Sequence, residues 1–318
     1  MTYTRKQIDR LRTQLQAKPI LEDLRTKFHN GDSLSLAEED YLCSMMKIMR
    51  EGTGQYKYDI TKLSGCTNYR FRRMYIQYAH DLNAIGSIQD YFGTVGVRQK
   101  QLDVAFLNQE YKSWVTKMTG KKTADAMWNN LLDETAHQNN LLHKFEQRDS
   151  PGQARIDYLH KSLILNSRYV YLQVKEFFEY LGKPSIVLHL YGFKVLIDSF
   201  SFIHILFRHF AASIKDYQEG KSYHVDESIF YKDLPFFFER FVRCFGKNFP
   251  KSAFNGRSMN FVYNGRAYSI WFRSITIACT LYLRLQSFYP IEARNDRLRI
   301  QSMKKSKINK RPTFLTEH

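Results

Sequence analysis

Apolar positions recur at helical spacing through the first half of the chain. Phe71, Met74, Tyr75 and Tyr78 mark one face of 70–82, and Ala124, Met127, Trp128, Leu131 and Leu132 one face of 123–145. Asp32-Ser33-Leu34-Ser35 offers capping residues ahead of a helix over about 36–50. No strand pattern competes there. Asp149-Ser150-Pro151-Gly152 punctuates the pattern and predicts a boundary, after which a long helix over about 155–181 ends at Gly182-Lys183-Pro184. The period then becomes two. Residues 185–191 and 193–197 alternate around Gly192 as a hairpin, followed by helices near 201–215 and 234–245, the second with Asp233 as cap and Pro235 in its first turn. The pair 258–263 and 266–273, joined by Asn264-Gly265, reads as a second hairpin because that dipeptide supplies the positive φ angles of a type I′ turn. A last strand is expected over 276–285.

The predicted fold is α+β: a helical domain over 1–150, a connecting helix over 151–184, a domain of antiparallel sheet with packed helices over 185–291, and a basic tail over 292–318. No window approaches 18 uninterrupted apolar residues, and the first 15 residues hold no apolar run of the kind a secretory signal needs, so a cytoplasmic protein that avoids membranes is expected. Cys43, Cys66, Cys244 and Cys279 show no CxxC spacing, which predicts buried, reduced thiols and no zinc ribbon.

Charge sharpens this picture. The chain carries 48 Lys and Arg against 31 Asp and Glu, a net +17. No acidic residue lies between Glu239 and Glu292, whereas Arg240, Arg243, Lys247, Lys251, Arg257, Arg266, Arg273 and Arg284 do. A surface built from that stretch is positive and recruits phosphates, so nucleic acid, RNA first, is the expected partner. Arg257, Arg266, Arg273 and Arg284, with Lys304 and Lys305 of the tail, are the candidate nucleic-acid contacts. A solvated basic face is the plain alternative.

The chain has no glycine-rich phosphate loop, GxSxG or HExxH motif and no acidic cluster for magnesium in its basic region, so neither a metal nor a cofactor is expected. What stands out is His204-Ile-Leu-Phe-Arg208-His209. On a helix, Ile203, Leu206, Phe207, Phe210 and Ile214 form the core stripe, His204 and Arg208 share one flank a turn apart, and His209 falls on the other. An imidazole beside a guanidinium can move a proton and stabilise phosphoryl charge without metal. The competing reading is a core histidine beside a surface arginine.

The order of hairpin, helix with HxxxRH, second helix and antiparallel strands ending in Cys279-Thr280-Leu-Tyr282 resembles the barnase/EndoU/colicin/RelE superfamily of metal-independent ribonucleases, in particular its phage- and toxin-associated branch, over roughly 185–290. That resemblance implies RNA cleavage, with His204, Arg208 or His209, and Thr280 lining a groove on the sheet, and Tyr268 beside them. It leaves 1–150 unassigned, as an adaptor, a delivery element or a self-inhibiting domain, and as the half through which an inhibitory or delivery partner would act. A nonenzymatic nucleic-acid-binding or scaffold protein is the alternative for the same basic surface. The RxxxxH spacing of the helical HEPN ribonucleases occurs at Arg155…His160, and Arg73…His80 offers another short match, but the β-rich half does not suit that class. His189 alternates with Ile186, Leu188 and Leu190 and points to the opposite face of its strand.

Overall fold

The computed structural model describes residues 2–41 with short gaps, isolated positions from there to 109, residues 111–210, scattered positions over 217–229, and 233–292 with short gaps. The predicted helices over 36–50 and 70–82, the arginine–histidine match at 73 and 80, and the basic tail with Lys304 and Lys305 lie outside the described residues, apart from helical positions at Glu38 and Tyr41. The elements are α1 (Arg5–Ile8), α2 (Gln14–Asn30), β1 (Gln89–Asp90), β2 (Gly93–Thr94), α3 (Ala126–Asp149), α4 (Gln153–Leu181), β3 (Ser185–Leu190), β4 (Phe193–Asp198), α5 (Ser199–Ile205) running into a π-helical turn (Leu206–Phe210), α6 (Leu234–Asn248), β5 (Ser258–Tyr263), β6 (Arg266–Ile277) and β7 (Thr280–Pro290). The fold is α+β. No helix among the described residues is long and apolar enough to cross a membrane.

The chain forms two compact units, and their division departs from the sequence expectation. One comprises 1–121, 149–169 and 225–230; the other 122–148, 170–224 and 231–318. Helix α3, assigned by sequence to a separate N-terminal domain, therefore belongs with the sheet, and the split falls inside α4 rather than at Asp149–Gly152 alone. In the first unit, Ser35 and Glu38 form the capping box anticipated from Asp32–Ser35. The Glu38 amide donates to Ser35 Oγ, and the Ser35 amide donates to Glu38 Oε2 at 2.8 Å. Trp114 Nε1 donates to Ser167 Oγ at 2.7 Å in the same unit. The two-residue strands β1 and β2 pair there as well, contrary to the all-helical expectation for 1–150.

The second unit is built on a five-stranded sheet of order β3-β4-β7-β6-β5. All its pairings are antiparallel except β4 with β7, which run parallel through only two residue pairs. Both anticipated hairpins form. Tyr191 and Gly192 have φ of 51° and 87°, the positive values a type I′ turn demands, and Tyr263 pairs with Arg266 across the second. The last strand departs from expectation because an unanticipated turn occurs at Ala278 and Cys279, with φ of 45° and 62°. Strand β7 therefore begins at Thr280 and runs to Pro290 rather than over 276–285. Neither residue favours the left-handed region, so composition gave no turn signal. Cys279 is exposed at this tip, against the expectation of buried cysteines.

One face of the sheet carries the core. Helix α6 lays Phe237, Phe238 and Phe241 against Phe261 and Phe288, and Phe202, Phe207, Phe210 and Tyr268 are fully buried. Full burial of one such ring stabilises by about 1.5–3 kcal/mol. Beyond Arg284, β7 has no strand on its β4 side, because β4 ends at Asp198 and turns into α5. Side chains satisfy that edge: Ser201 Oγ donates to the Leu285 carbonyl at 2.6 Å and His224 Nε2 donates to the Phe288 carbonyl at 3.1 Å.

Candidate functional site

Helix α5 starts by a capping box. Asp198 Oδ1 accepts from the Ser201 amide at 3.3 Å, while its other oxygen pairs with Arg284 Nη2 at 2.8 Å. This anchors the helix start to β7 and fixes where the next turns project. His204 and Arg208 then share one side, as the wheel predicts, and meet an acid that the sequence reading overlooked. Glu134, on α3, is buried together with His204, whereas the Arg208 side chain is 20% exposed. Arg208 grips the carboxylate with two donors, Nε to Oε1 at 3.0 Å and Nη2 to Oε2 at 3.3 Å. Gln138 Nε2, one turn along α3, donates to Oε1 at 2.6 Å. His204 Nδ1 stands 3.4 Å from Oε2, a long polar contact that becomes an ion pair when the ring is protonated. One turn in the other direction Asn130 donates to Ser199 Oγ at 2.9 Å, so the polar i, i+4 row 130–134–138 faces α5.

Burial pushes the Glu134 carboxyl up, but the bond and charge of His204, followed by the charge and bonds of Arg208, outweigh it and hold the group down at about 2. The cluster is thus built around an acid that is ionised at neutral pH. Signals for Glu134 were present in the sequence: Glu134 and Gln138 interrupt the row of Leu131, Leu142 and Phe145 on the buried face of α3. A charge tolerated in such a row requires a partner.

His204 and Arg208 open onto a cleft of about 230 Å³ whose other walls are Trp271, Gln286, Ser287 and Tyr289 of the sheet. Three of these come from one irregularity in β7. The register slips between Trp271 and Phe272, which pair with Ser287 and Leu285, leaving Gln286 as the extra residue of a bulge. The bulge turns Gln286 and Ser287 together toward the cleft while Leu285 and Phe288 stay in the core. Trp271 Nε1 donates to Tyr289 Oη at 2.9 Å, bracing the aromatic wall.

His209 leaves the helix in another direction, through the π turn, and is buried. Its Nδ1 donates to the Ser222 carbonyl at 3.0 Å, which leaves Nε2 to accept from Ser287 Oγ at 2.8 Å. The ring stacks on Tyr289 at 5.0 Å. It is therefore absent from the cleft wall yet reaches the cleft from behind, through the Ser287 hydroxyl.

Two expected residues stand elsewhere. Tyr268 is buried in the core against Phe261 and Phe288, on the face opposite Trp271. Thr280 opens β7, six residues before Gln286, or roughly 20 Å along the strand. The late-strand hydroxyl of the cleft is Ser287. Of the basic candidates, Arg257 and Arg273 are exposed, Arg266 is half-buried, and Arg284 pairs with Asp198. His189 is exposed on the open face of β3, as its alternation predicts. Arg155 and His160 both lie on α4, about 140° apart around the helix, so they share no face.

His224 donates to the strand edge and stacks on Phe210 at 4.3 Å. Its imidazole is pushed well below the ordinary value, chiefly by burial, against a bond to the Phe288 carbonyl that raises it, with the charges of His209 and Arg266 lowering it further. The folded group therefore binds its proton less readily than the unfolded one, whose pKa is about 6.5. Its stabilisation is complete above that pH and is lost as pH falls through it. Urea midpoints are expected to decline from pH 7.5 to 5, with a shallower decline in His224→Gln. An identical slope in the two proteins would assign the acid sensitivity to other groups.

Comparison with known protein families, curated proteins and solved structures found no match.

Proposed function

We propose that the protein is a cytoplasmic, metal-independent ribonuclease, of the kind its HxxxRH pattern and late strands resemble, and that the α5–β7 cleft is where RNA is cut. The observation that carries this reading is the convergence of His204 and Arg208 on one cleft, with Glu134 behind both. Glu134 lies on the Nδ1 side of His204, so Nε2 is the nitrogen to exchange a proton with substrate. It removes the proton of a ribose 2′-hydroxyl, and the 2′-oxygen attacks phosphorus. The bond to the 5′-oxygen breaks, and that oxygen takes up the Ser287 hydroxyl proton while Ser287 takes the Nε2 proton of His209 in its protonated form, leaving a neutral ring whose Nδ1 still donates to Ser222. The products are a 2′,3′-cyclic phosphate and a 5′-hydroxyl. Arg208 stabilises the charge gathering on the phosphoryl oxygens, and Trp271 and Tyr289 offer faces on which a neighbouring base stacks. A volume of about 230 Å³ suits one phosphodiester with part of a base, a local stretch of polymer rather than an enclosed small molecule.

Incubation of end-labelled RNA over pH 5–8, with and without EDTA, tests this directly. EDTA-resistant cleavage leaving cyclic phosphate ends is expected. A specific observation favours the nonenzymatic reading as the second choice: the double contact with Glu134 offsets much of the Arg208 charge that a phosphate would meet. Tight, salt-sensitive RNA binding with no cut at any pH, with EDTA or magnesium, would establish that reading instead.

Ser287 and His209 divide by their variants. Ser287→Ala is expected to remain folded and to slow cleavage by about tenfold to a hundredfold, in kcat more than in KM. His209→Ala adds a folding defect, since the Ser222 carbonyl and Ser287 hydroxyl both lose a buried partner at about 1–3 kcal/mol each. Full activity in Ser287→Ala would remove the pair from the reaction.

A further inference from the structure

The sheet face opposite the aromatic core continues beyond the cleft. Strand registers align its side chains into transverse rows: His189 pairs with Lys194, Lys194 neighbours Tyr282 across the parallel β4–β7 contact, and Tyr282 pairs with Ile275. One step nearer the cleft, Arg284 stands directly opposite Arg273, and Arg273 is two residues along β6 from Trp271 of the cleft wall. Each row spans about 14 Å from β3 to β6, and successive rows lie roughly 7 Å apart along the strands.

This face is cationic and aromatic with little to offset it. Asp198 is the one carboxylate in β3, β4, β6 and β7, and it is occupied by Arg284 at 2.8 Å. His189, Lys194 and Arg273 are exposed, and the Lys194 ammonium lies 5.9 Å from the centre of the half-buried Tyr282 ring. Asp198 already meets the charge of Arg284, so the exposed Arg273 opposite it is the cation that this row presents to an anion. A chain of phosphates carrying unpaired bases satisfies both features: its charges meet the cations, and its base faces stack on Tyr282 and Trp271. A duplex offers phosphates but keeps its base faces covered, so it makes only half of these contacts.

We propose that the open face of β3, β4, β7 and β6 is a track for single-stranded nucleic acid that leads into the cleft, so that the strand flanking the scissile bond, rather than a duplex, is the form bound. The proposal rests on the ribonuclease reading for its direction but is measured without cleavage. The probes are 2′-O-methyl RNAs, which lack the attacking hydroxyl: a dinucleotide, a single-stranded octamer and the octamer paired with its complement, titrated by fluorescence anisotropy against the full chain. The single-stranded octamer is expected to bind at least tenfold tighter than either the dinucleotide or the duplex. Lys194→Ala, Arg273→Ala and Tyr282→Ala are each expected to lower octamer affinity about tenfold and so shrink its advantage over the dinucleotide. The two cation variants should also flatten the salt dependence, by a slope of about 0.7 for each phosphate that is no longer neutralised. Arg273→Lys should retain the salt slope.

Equal affinity for octamer and dinucleotide, or duplex binding as tight as single-strand binding, overturns the track, as do surface variants that leave the octamer untouched. The outcomes separate the two readings. Octamer affinity that depends on Lys194, Arg273 and Tyr282 in a protein that never cuts RNA supports the track and ends the ribonuclease reading. Cutting by a protein that binds the octamer no better than the dinucleotide does the reverse.

Discussion

His204→Ala is expected to reduce RNA cleavage by about 10²–10⁴ while changing RNA affinity only a few-fold, because a group that moves a proton acts in the transition state and adds little to ground-state binding. Removing the imidazole also leaves Glu134 its contacts with Arg208 and Gln138, so the fold should survive. Arg208→Ala is expected to lower both rate and affinity. Arg208→Lys should restore affinity better than rate: an ammonium keeps the charge but not the fork that grips Glu134 through Nε and Nη2. Single-turnover cleavage and equilibrium binding on the same preparations separate the terms. Cleavage undiminished in folded His204→Ala would remove the histidine from the chemistry.

Glu134→Ala is expected to be the most destabilising single change in the sheet-bearing unit. It deprives Arg208, Gln138 and His204 of the carboxylate they converge on, and breaking a buried ion pair from one side costs about 3–5 kcal/mol. A fall in Tm on the order of 10 °C is expected. Glu134→Gln preserves the shape and one acceptor, so it should recover part of the stability but not the ionic part. Because the folded carboxyl is held at about 2, below its unfolded value, its stabilisation is fully present above about pH 4.5 and disappears as pH falls toward 2. That acid limb should be missing from both variants. A loss under about 1 kcal/mol for Glu134→Ala would mean that the cluster reorganises around solvent instead of depending on its acid. Such a result would also weaken the case for His204 as a held base, since Glu134 is the group that stands on its Nδ1 side.

What the sequence determined by itself was local. Period-two alternation and a turn residue at Gly192 specified the first hairpin, because a positive φ at that position is cheap only for glycine. Helical spacing placed His204 and Arg208 on one side, since four residues make close to one turn and the chain stays helical from α5 into the π turn. Gly182 with φ of 62° closed α4 where the pattern stops. Where local chemistry was silent, the reading failed. Ala278 and Cys279 turn the chain without any turn residue, held there by the pairing of β6 with β7 on either side, and that moved the last strand and stranded Thr280 far from the cleft.

The site itself was decided in three dimensions. Glu134 lies 70 residues from His204 in sequence, and only the packing of α3 against α5 brings a carboxylate to both the imidazole and the guanidinium. Ser287 enters the cleft because one extra residue in β7 resets which side chains face the core, a choice made by the partner strand rather than by Gln286 or its neighbours. His209, which a helical wheel turns away from His204, reaches the same cleft through Ser287 because that hydroxyl and the Ser222 carbonyl stand on either side of its ring. Residue types and periodicity limit what each segment can form, but they carry no information about which distant segment supplies a partner. That follows from the burial of apolar faces, which draws α3, α5 and β7 together and obliges the polar groups trapped among them to satisfy one another.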